Sequence, residues 1–487
     1  MQPYTPRKKP EFPVPISSQA VREIFSRADD LTERTLQVGQ ETLTVFFIDG
    51  LTASGMISEY VIWPVMQNLG GKSQEEMFSL ALRGQAYNAA AKEAEDMDAL
   101  CSLLLNGFCI VVFDTINKAL AFETKTPEKR SPAPPQTEGT VKGAKDAFTE
   151  TNRTNTSLIR RHLRSTRLQV EETVVGRKTR TNVSVLSLRG LTDPKLLEMV
   201  KSRLDNIDVD GFLSPSMVEE YLTGARKTAF PLTQYTERTD KFCQGLLAGQ
   251  VGVIVDGLPL GFLLPVDLGL IMTSQEDVGE NYLVASFVRC IRYIAMLVAL
   301  LLPALYVAMA QFHPAMIPTR LLLAMIESKK NVPFPTVFEV LGLLIAFELL
   351  QEAGLHLPRS IGHTVSIIGG LVVGTAAVEA SLISPGALVA VSVAGICGFA
   401  VPNKDFGDGL RLWRIILSLC AAILGLYGLT LGAICLLVHL GSLTSCSRPY
   451  LAPFSSASSE GAILRRRLIT KKFRDPKLRP QDKRNKR

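Results

Sequence analysis

Glu348, Gln351 and Glu352 sit close together in a segment, Thr336 to Leu357, that is otherwise mostly apolar and also carries Glu339 and His356. Residues four apart share a helical face, so Glu348 and Glu352 form one stripe while Glu339 points roughly the opposite way. Ionisable groups within a membrane helix cost about 2.5–3.5 kcal/mol each on insertion scales, so they face a bundle interior or water. Carboxylates on one stripe, repeated around an axis, would make a wall that attracts cations. A helix lying flat at an interface with its acidic side in water explains the same pattern, and the sequence leaves both readings open. No enzyme chemistry competes with them. There is no Gly-x-x-x-x-Gly-Lys-Ser/Thr phosphate loop, no Gly-x-Ser-x-Gly elbow and no His-Glu-x-x-His helix. Neither a cofactor nor a metal site is expected: the eight cysteines form no Cys-x-x-Cys pair and read as small buried apolar side chains.

The elements that must carry this stripe lie beyond a composition break near Phe287. No charged residue occurs between Arg292 and Arg320, only Glu379 between Ser360 and Asn403, and none from Ile415 to Ser447. A bilayer core needs about 20 apolar residues to be crossed by a helix. Residues 287–447 are therefore expected to be an α-helical polytopic membrane domain, best fitted by four full spans and a non-crossing piece around Leu321 to Ile326, with five or six segments left open. Gly369, Gly370 and Gly374 are the candidate helix-packing positions, because small residues let membrane helices approach closely.

Ahead of the break, the chain reads as an α/β soluble region of two related subdomains. Thr44-Val-Phe-Phe-Ile-Asp-Gly-Leu-Thr52 leads into a helical pattern, and so does Ser184-Val-Leu-Ser-Leu-Arg-Gly-Leu-Thr192 about 140 residues later. The runs ending in Asp114 and Asp256 each continue into a second apolar run, as strand, turn, strand. Constant spacing across separated pieces points to duplication. The expected boundaries are a loose, Pro-rich leader at 1–30, subdomains at 31–123 and 146–286, and a linker at 124–145 containing Pro127, Pro132, Pro134 and Pro135. Arg153, Arg160 and Arg161, on an expected helix, are read either as a solvated face or as a docking surface for a partner subunit or anionic lipid.

The net charge of +7 is an average. Twelve Lys or Arg against Asp475 and Asp482 give the stretch Arg465 to Arg487 a charge of +10, leaving about −3 elsewhere. Basic residues just past an apolar helix read as a cytoplasmic anchor, so residues 448–487 are expected to be a basic cytoplasmic tail. No basic stripe for nucleic acid is visible in the folded part. The leader lacks the apolar core of a secretory signal, so the soluble region is expected to be cytoplasmic too.

Glu352-Ala-Gly-Leu-His-Leu-Pro-Arg-Ser-Ile-Gly362, continuing as Thr364-Val-Ser-Ile-Ile-Gly-Gly-Leu-Val-Val-Gly374, resembles the signature of the GerA family, the A subunits of bacterial spore germinant receptors. Phe148-Thr-Glu-Thr-Asn-Arg-Thr-Asn-Thr156 with Ile159-Arg-Arg161 is similar to its Thr-Asn-x-x-Leu-Ile-Arg-Arg helix. Phe230-Pro231, Thr236-Glu-Arg238, Val255-Asp-Gly257, His313-Pro314, Pro333-Phe-Pro335, Pro449-Tyr-Leu-Ala-Pro453 and Arg479-Pro480 extend the likeness. Thr239 departs from it, standing where proline is usual, and Arg448 interrupts a Gly-x-Pro-Tyr-Leu pattern. The resemblance implies a multi-pass protein of the inner spore membrane that works with a transporter-like B subunit and a lipoprotein C subunit. It further implies a homo-oligomeric, nutrient-gated channel releasing monovalent cations. The alternatives are a channel or scaffold of the related spore-maturation branch, or a carrier-type transporter.

Overall fold

The structure is a computed structural model describing residues 10–85, 91–125, 134–224, 227–356, 372–455, 463–465, 467, 480–482 and 484. It divides into two compact units, residues 1–225 with 233–265 and 471–487, and residues 226–232 with 266–470.

The first unit holds two five-stranded antiparallel sheets with one topology. In the first, β1 (Leu31–Val38), β2 (Glu41–Ile48), β3 (Ala91–Ala94), β4 (Phe108–Phe113) and β5 (Lys118–Glu123) lie in the order β1-β2-β4-β5-β3. In the second, β6 (Leu168–Val175), β7 (Thr181–Leu188), β8 (Gln234–Thr236), β9 (Val251–Val255) and β10 (Gly261–Leu264) lie in the order β6-β7-β9-β10-β8. The matched order supports the duplication read from the sequence. Gly50 and Gly257, the second residues of the two Asp-Gly pairs, both take positive φ (88° and 85°), a region open to glycine at little cost.

These strands read as unbroken apolar runs because both sheet faces are covered. Along β4, Phe108, Ile110 and Val112 join one core with Ile16, Val21 and Leu100, while Cys109, Val111 and Phe113 join another with Val61, Val65 and Met77. Side chains alternate between faces with period two, and here neither face is left polar.

The leader differs from expectation. Residues Ser18–Ile24 form helix α1, capped by the Ser17 side chain, and Val21, Ile24 and Phe25 are buried. Its apolar spacing was masked by the prolines that precede it. Residues 27–29 then run beside β6, with Val170 N donating to Arg27 O at 3.1 Å and Asp29 N to Val170 O at 2.9 Å. The chain start thus joins the first subdomain to the second. The described part of the linker is also held down: Glu138 accepts from Thr236 Oγ1 and Lys241, and buried Arg238 donates to Glu138 O and Ala144 O.

Further helices of this unit include α2 (Met97–Leu105), α3 (Asn152–His162), α4 (Pro194–Asp205) and α5 (Thr239–Ala248). Helix α4 starts with Asp193 capping and Pro194 in the first turn, where its missing N–H and fixed φ are tolerated. The Thr151 side chain makes no capping hydrogen bond at α3; there Asp256 Oδ1 accepts from Asn152 N at 2.8 Å.

His162, at the end of α3, is hydrogen-bonded to Asp146 at 2.7 Å, and Thr239 Oγ1 donates to the same carboxylate at 2.6 Å. The threonine that departs from the family pattern therefore has a local function. The bond to His162 draws Asp146 down to about 2, and the same bond holds His162 above its ordinary 6.5. A raised folded histidine pKa stabilises fully below the unfolded value and loses that contribution as pH rises through the folded value. The Asp146 contribution has the opposite sign, present above its ordinary 3.8 and lost as pH falls toward 2. Thermal stability of this unit should thus fall as pH is raised from 6 to 8.5. The drop should vanish in His162→Gln. With side chains 34% and 24% exposed, screening keeps the effect under about 1 kcal/mol.

The second unit is helical: α6 (Tyr282–Gln311), α7 (Thr319–Lys329), α8 (Thr336–His356), a helical stretch over 372–379, α9 (Pro385–Gly398) and α10 (Lys404–Ser442). Tyr293, Leu300, Ala304 and Ala308 of α6 share a core with Leu410, Leu417, Ala421, Leu429 and Leu436 of α10. A second cluster joins Val307 to Val340, Leu343 and Leu344 of α8 and Ala387 and Val391 of α9.

Candidate functional site

Within this helical unit, α8 presents its carboxylates to α10. Arg414 Nη2 donates to Glu348 Oε1 at 2.8 Å, and Arg411 Nη1 lies 3.7 Å from Glu348 Oε2. Arg411 also pairs with Asp408 at 2.8 Å and donates to Gln351 Oε1. Arg414 is 5% exposed, and its Nε has no hydrogen-bond partner. A guanidinium buried among apolar helices is tolerated only when paired, so Glu348 is the counter-charge that allows Arg414 to be there. Glu352, one turn further on, is exposed.

Glu339 serves a separate contact. It is 3% exposed, accepts from Ser384 N at 2.8 Å at the start of α9, and lies 3.1 Å from Lys329 Nζ. The two sides of α8 therefore bind different neighbours, as their opposed helical positions require.

Of the glycines expected at helix contacts, Gly369 and Gly370 lie outside the described residues. Gly374 is half-buried, and a Cβ there would sit 3.8 Å from Leu388 of α9, an ordinary contact. A more constrained glycine than Gly374 is Gly425, which breaks α10 with φ 61° and ψ −139°. A straight helix of 39 residues would run about 58 Å at 1.5 Å per residue, well beyond a bilayer core of about 30 Å. A Cβ at Gly425 would meet Phe312 Cβ at 2.8 Å. Gly425→Ala should cost about 1–3 kcal/mol in backbone strain, with overpacking added. Gly441→Ala, which meets nothing within 4 Å, is the control. A melting temperature equal to that of the control would show that the break is not required.

The expected docking arginines are largely used inside the first unit. Arg160 is fully buried, with Nε and Nη2 each 2.6 Å from the Asp30 carboxylate. This corrects the surface role expected of it: α3 turns this side chain toward the residues ahead of β1. Arg153 is 3.0 Å from Asp49 and 2.9 Å from Glu172, one from each subdomain. Arg161 is partly exposed on the last turn of α3. Asn152 and Asn155 of the same motif bond to Ser184 and Thr149. The motif is a brace between subdomains.

Arg411 and Arg414, near the start of α10, are partners of α8 that the sequence pattern alone did not single out. The available signal was charge balance, since a carboxylate in one apolar helix calls for a cation in a neighbour. Among the described residues no group of three or more His, Cys, Asp and Glu is arranged to hold a metal ion.

A duplicated two-sheet unit and a helical unit with paired internal charges define a class of two-unit protein. Residues 19–481 match the family described as Bacillus/Clostridium GerA spore germination protein, and the chain belongs to that family. It is 34% identical over 93% of its length to spore germination protein KA of Bacillus subtilis, covering 85% of that protein. It is 35% identical to spore germination protein A1 of the same organism, over 77% of this chain and 78% of that one. The B. subtilis protein YfkQ, described only as an uncharacterised membrane protein, is 34% identical over 84% of this chain and 80% of its own. Among solved structures, the N-terminal domain of the A subunit of the Bacillus megaterium spore germinant receptor GerK3 matches with a TM-score of 0.39 and 25% identity. It covers 50% of this chain and 91% of that one.

Proposed function

We propose that the protein is the membrane subunit of a spore germinant receptor and acts as an oligomeric, nutrient-gated channel releasing monovalent cations. The observation that carries this reading is the outer surface of the helical unit. Ile294, Leu297, Ile345, Leu349, Ile396, Ile423, Leu437 and Val438 are each at least half exposed on α6, α8, α9 and α10, whereas Arg414, Glu339 and Arg289 are turned inward. Apolar surface outside and paired charge inside suit a lipid solvent.

Helices α6 and α10 are long and apolar enough to cross a bilayer, with mean hydropathy 2.2 and 2.3. The remaining crossings of a four-span arrangement lie between α6 and α10 and keep the N-terminal unit and the basic tail cytoplasmic at the inner spore membrane. A transporter-like B subunit and a lipoprotein C subunit complete the receptor. Glu348 is neutralised by its arginines within one copy; Glu352, exposed one turn further on, is the second carboxylate of the stripe proposed to line the cation path.

The test is potassium release from spores lacking the gene, measured after nutrient addition and again with the gene restored, together with cross-linking of the solubilised protein. Restored release and a cross-linked ladder are expected. A strictly monomeric protein would support a carrier, and nutrient-independent function during spore formation would support the maturation branch.

A further inference from the structure

The first unit contains a cavity of about 350 Å³ between the second sheet, the start of α4 and residues 26–27. Its lining includes Ser26, Arg27, Gln169, Ser187, Arg189 and Gln481. No acidic side chain lines it, and among the described residues neither arginine has a carboxylate partner; Arg189 donates only to Ile24 O, at 3.2 Å. Gln169 and Ser187 face each other across β6 and β7, and Ser187 Oγ donates to Gln169 Oε1 at 3.3 Å. Gln169 is 7% exposed, and its amide NH₂ has no hydrogen-bond partner within the fold. Its amide lines the cavity beside the two guanidiniums, so the three side chains present only donors toward the same space.

We infer that this cavity is a binding site for the phosphate group of a small soluble solute. Two forked guanidiniums match phosphate oxygens in charge and geometry. The Gln169 amide and the Ser26 hydroxyl add neutral donors at the floor and rim. The volume exceeds that of phosphate alone and leaves room for an organic portion. Because Arg27 lies on the segment that joins the chain start to β6, occupancy would tie that segment to the second subdomain.

The experiment uses the full chain in detergent and follows thermal stability during titration with inorganic phosphate and with glycerol 3-phosphate at constant ionic strength. A saturable rise in melting temperature is expected, with apparent affinity at least 10-fold weaker in Arg27→Ala/Arg189→Ala. Gln169→Leu should also weaken it, since it removes a donor from the lining. A parallel arm compares nanodiscs with and without phosphatidic acid. No saturable rise, an equal rise in the arginine variant, or a response to the lipid alone would overturn the proposal.

Discussion

Asp30→Asn should unfold the N-terminal unit on the order of 10 °C earlier than the unaltered chain. Asp30 is 1% exposed and takes two hydrogen bonds of 2.6 Å from Arg160, which is wholly buried. Removing one partner of a buried pair leaves a bare charge in a poor solvent, at a cost of about 3–5 kcal/mol. For a unit of this size each kcal/mol shifts the melting temperature by roughly 2–4 °C. Replacing both residues with leucine should recover much of the loss, because two desolvated charges are often worth no more than apolar packing. Thermal denaturation of the unaltered chain, Asp30→Leu, Arg160→Leu and the double leucine variant, in the full chain, gives the coupling energy directly. A coupling near zero would mean that solvent reaches this contact and that the brace between leader and second subdomain is weaker than its geometry implies.

This pair marks the boundary of what the sequence discloses. The duplication was legible because its signals are local: an Asp-Gly turn at a strand end, a capped helix, apolar runs of strand length. The identical strand order follows from two copies of one local pattern. The leader was not legible in the same way. Pro10, Pro13 and Pro15 suggested loose chain, while Val21, Ile24 and Phe25 needed a partner core supplied by Phe46, Ile48, Leu51 and residues beyond position 90. The Asp30–Arg160 contact spans 130 residues, and no spacing rule connects them. The docking reading of the α3 arginines failed at Arg160 for that reason. A helix surrounded on several sides by its own subdomains has few faces left to offer a partner.

In the helical unit, the acidic stripe was legible and its partner was not. Glu348 and Glu352 announce themselves by being carboxylates in an apolar run, but a helix alone cannot say which face meets protein. The contact of α8 with α10 settles this for Glu348 and gives it an electrostatic task before any role in ion passage.

Two accounts of Glu348 predict different results. If its negative charge alone sets cation preference, Glu348→Gln should alter selectivity and leave the assembled protein as stable as before. If it chiefly compensates Arg414, the loss should fall on stability. Glu348→Ala would strand a guanidinium that is 5% exposed and whose Nε already lacks a hydrogen-bond partner, at a cost of about 3–5 kcal/mol. Arg411, at 3.7 Å, offers no relief, since it is a second positive charge released by the same change. Glu348→Gln keeps one acceptor and should cost less. Arg414→Leu should be tolerated better than Glu348→Ala, because the carboxylate it frees is 27% exposed and still has Arg411 beside it. The Glu348→Ala/Arg414→Leu double variant should therefore be more stable than Glu348→Ala alone. Protein level in the membrane and melting temperature in detergent would be measured for all three, with potassium leak from unstimulated spores as the functional readout. A double variant no better than Glu348→Ala would sink the compensation account and return Glu348 to the cation path.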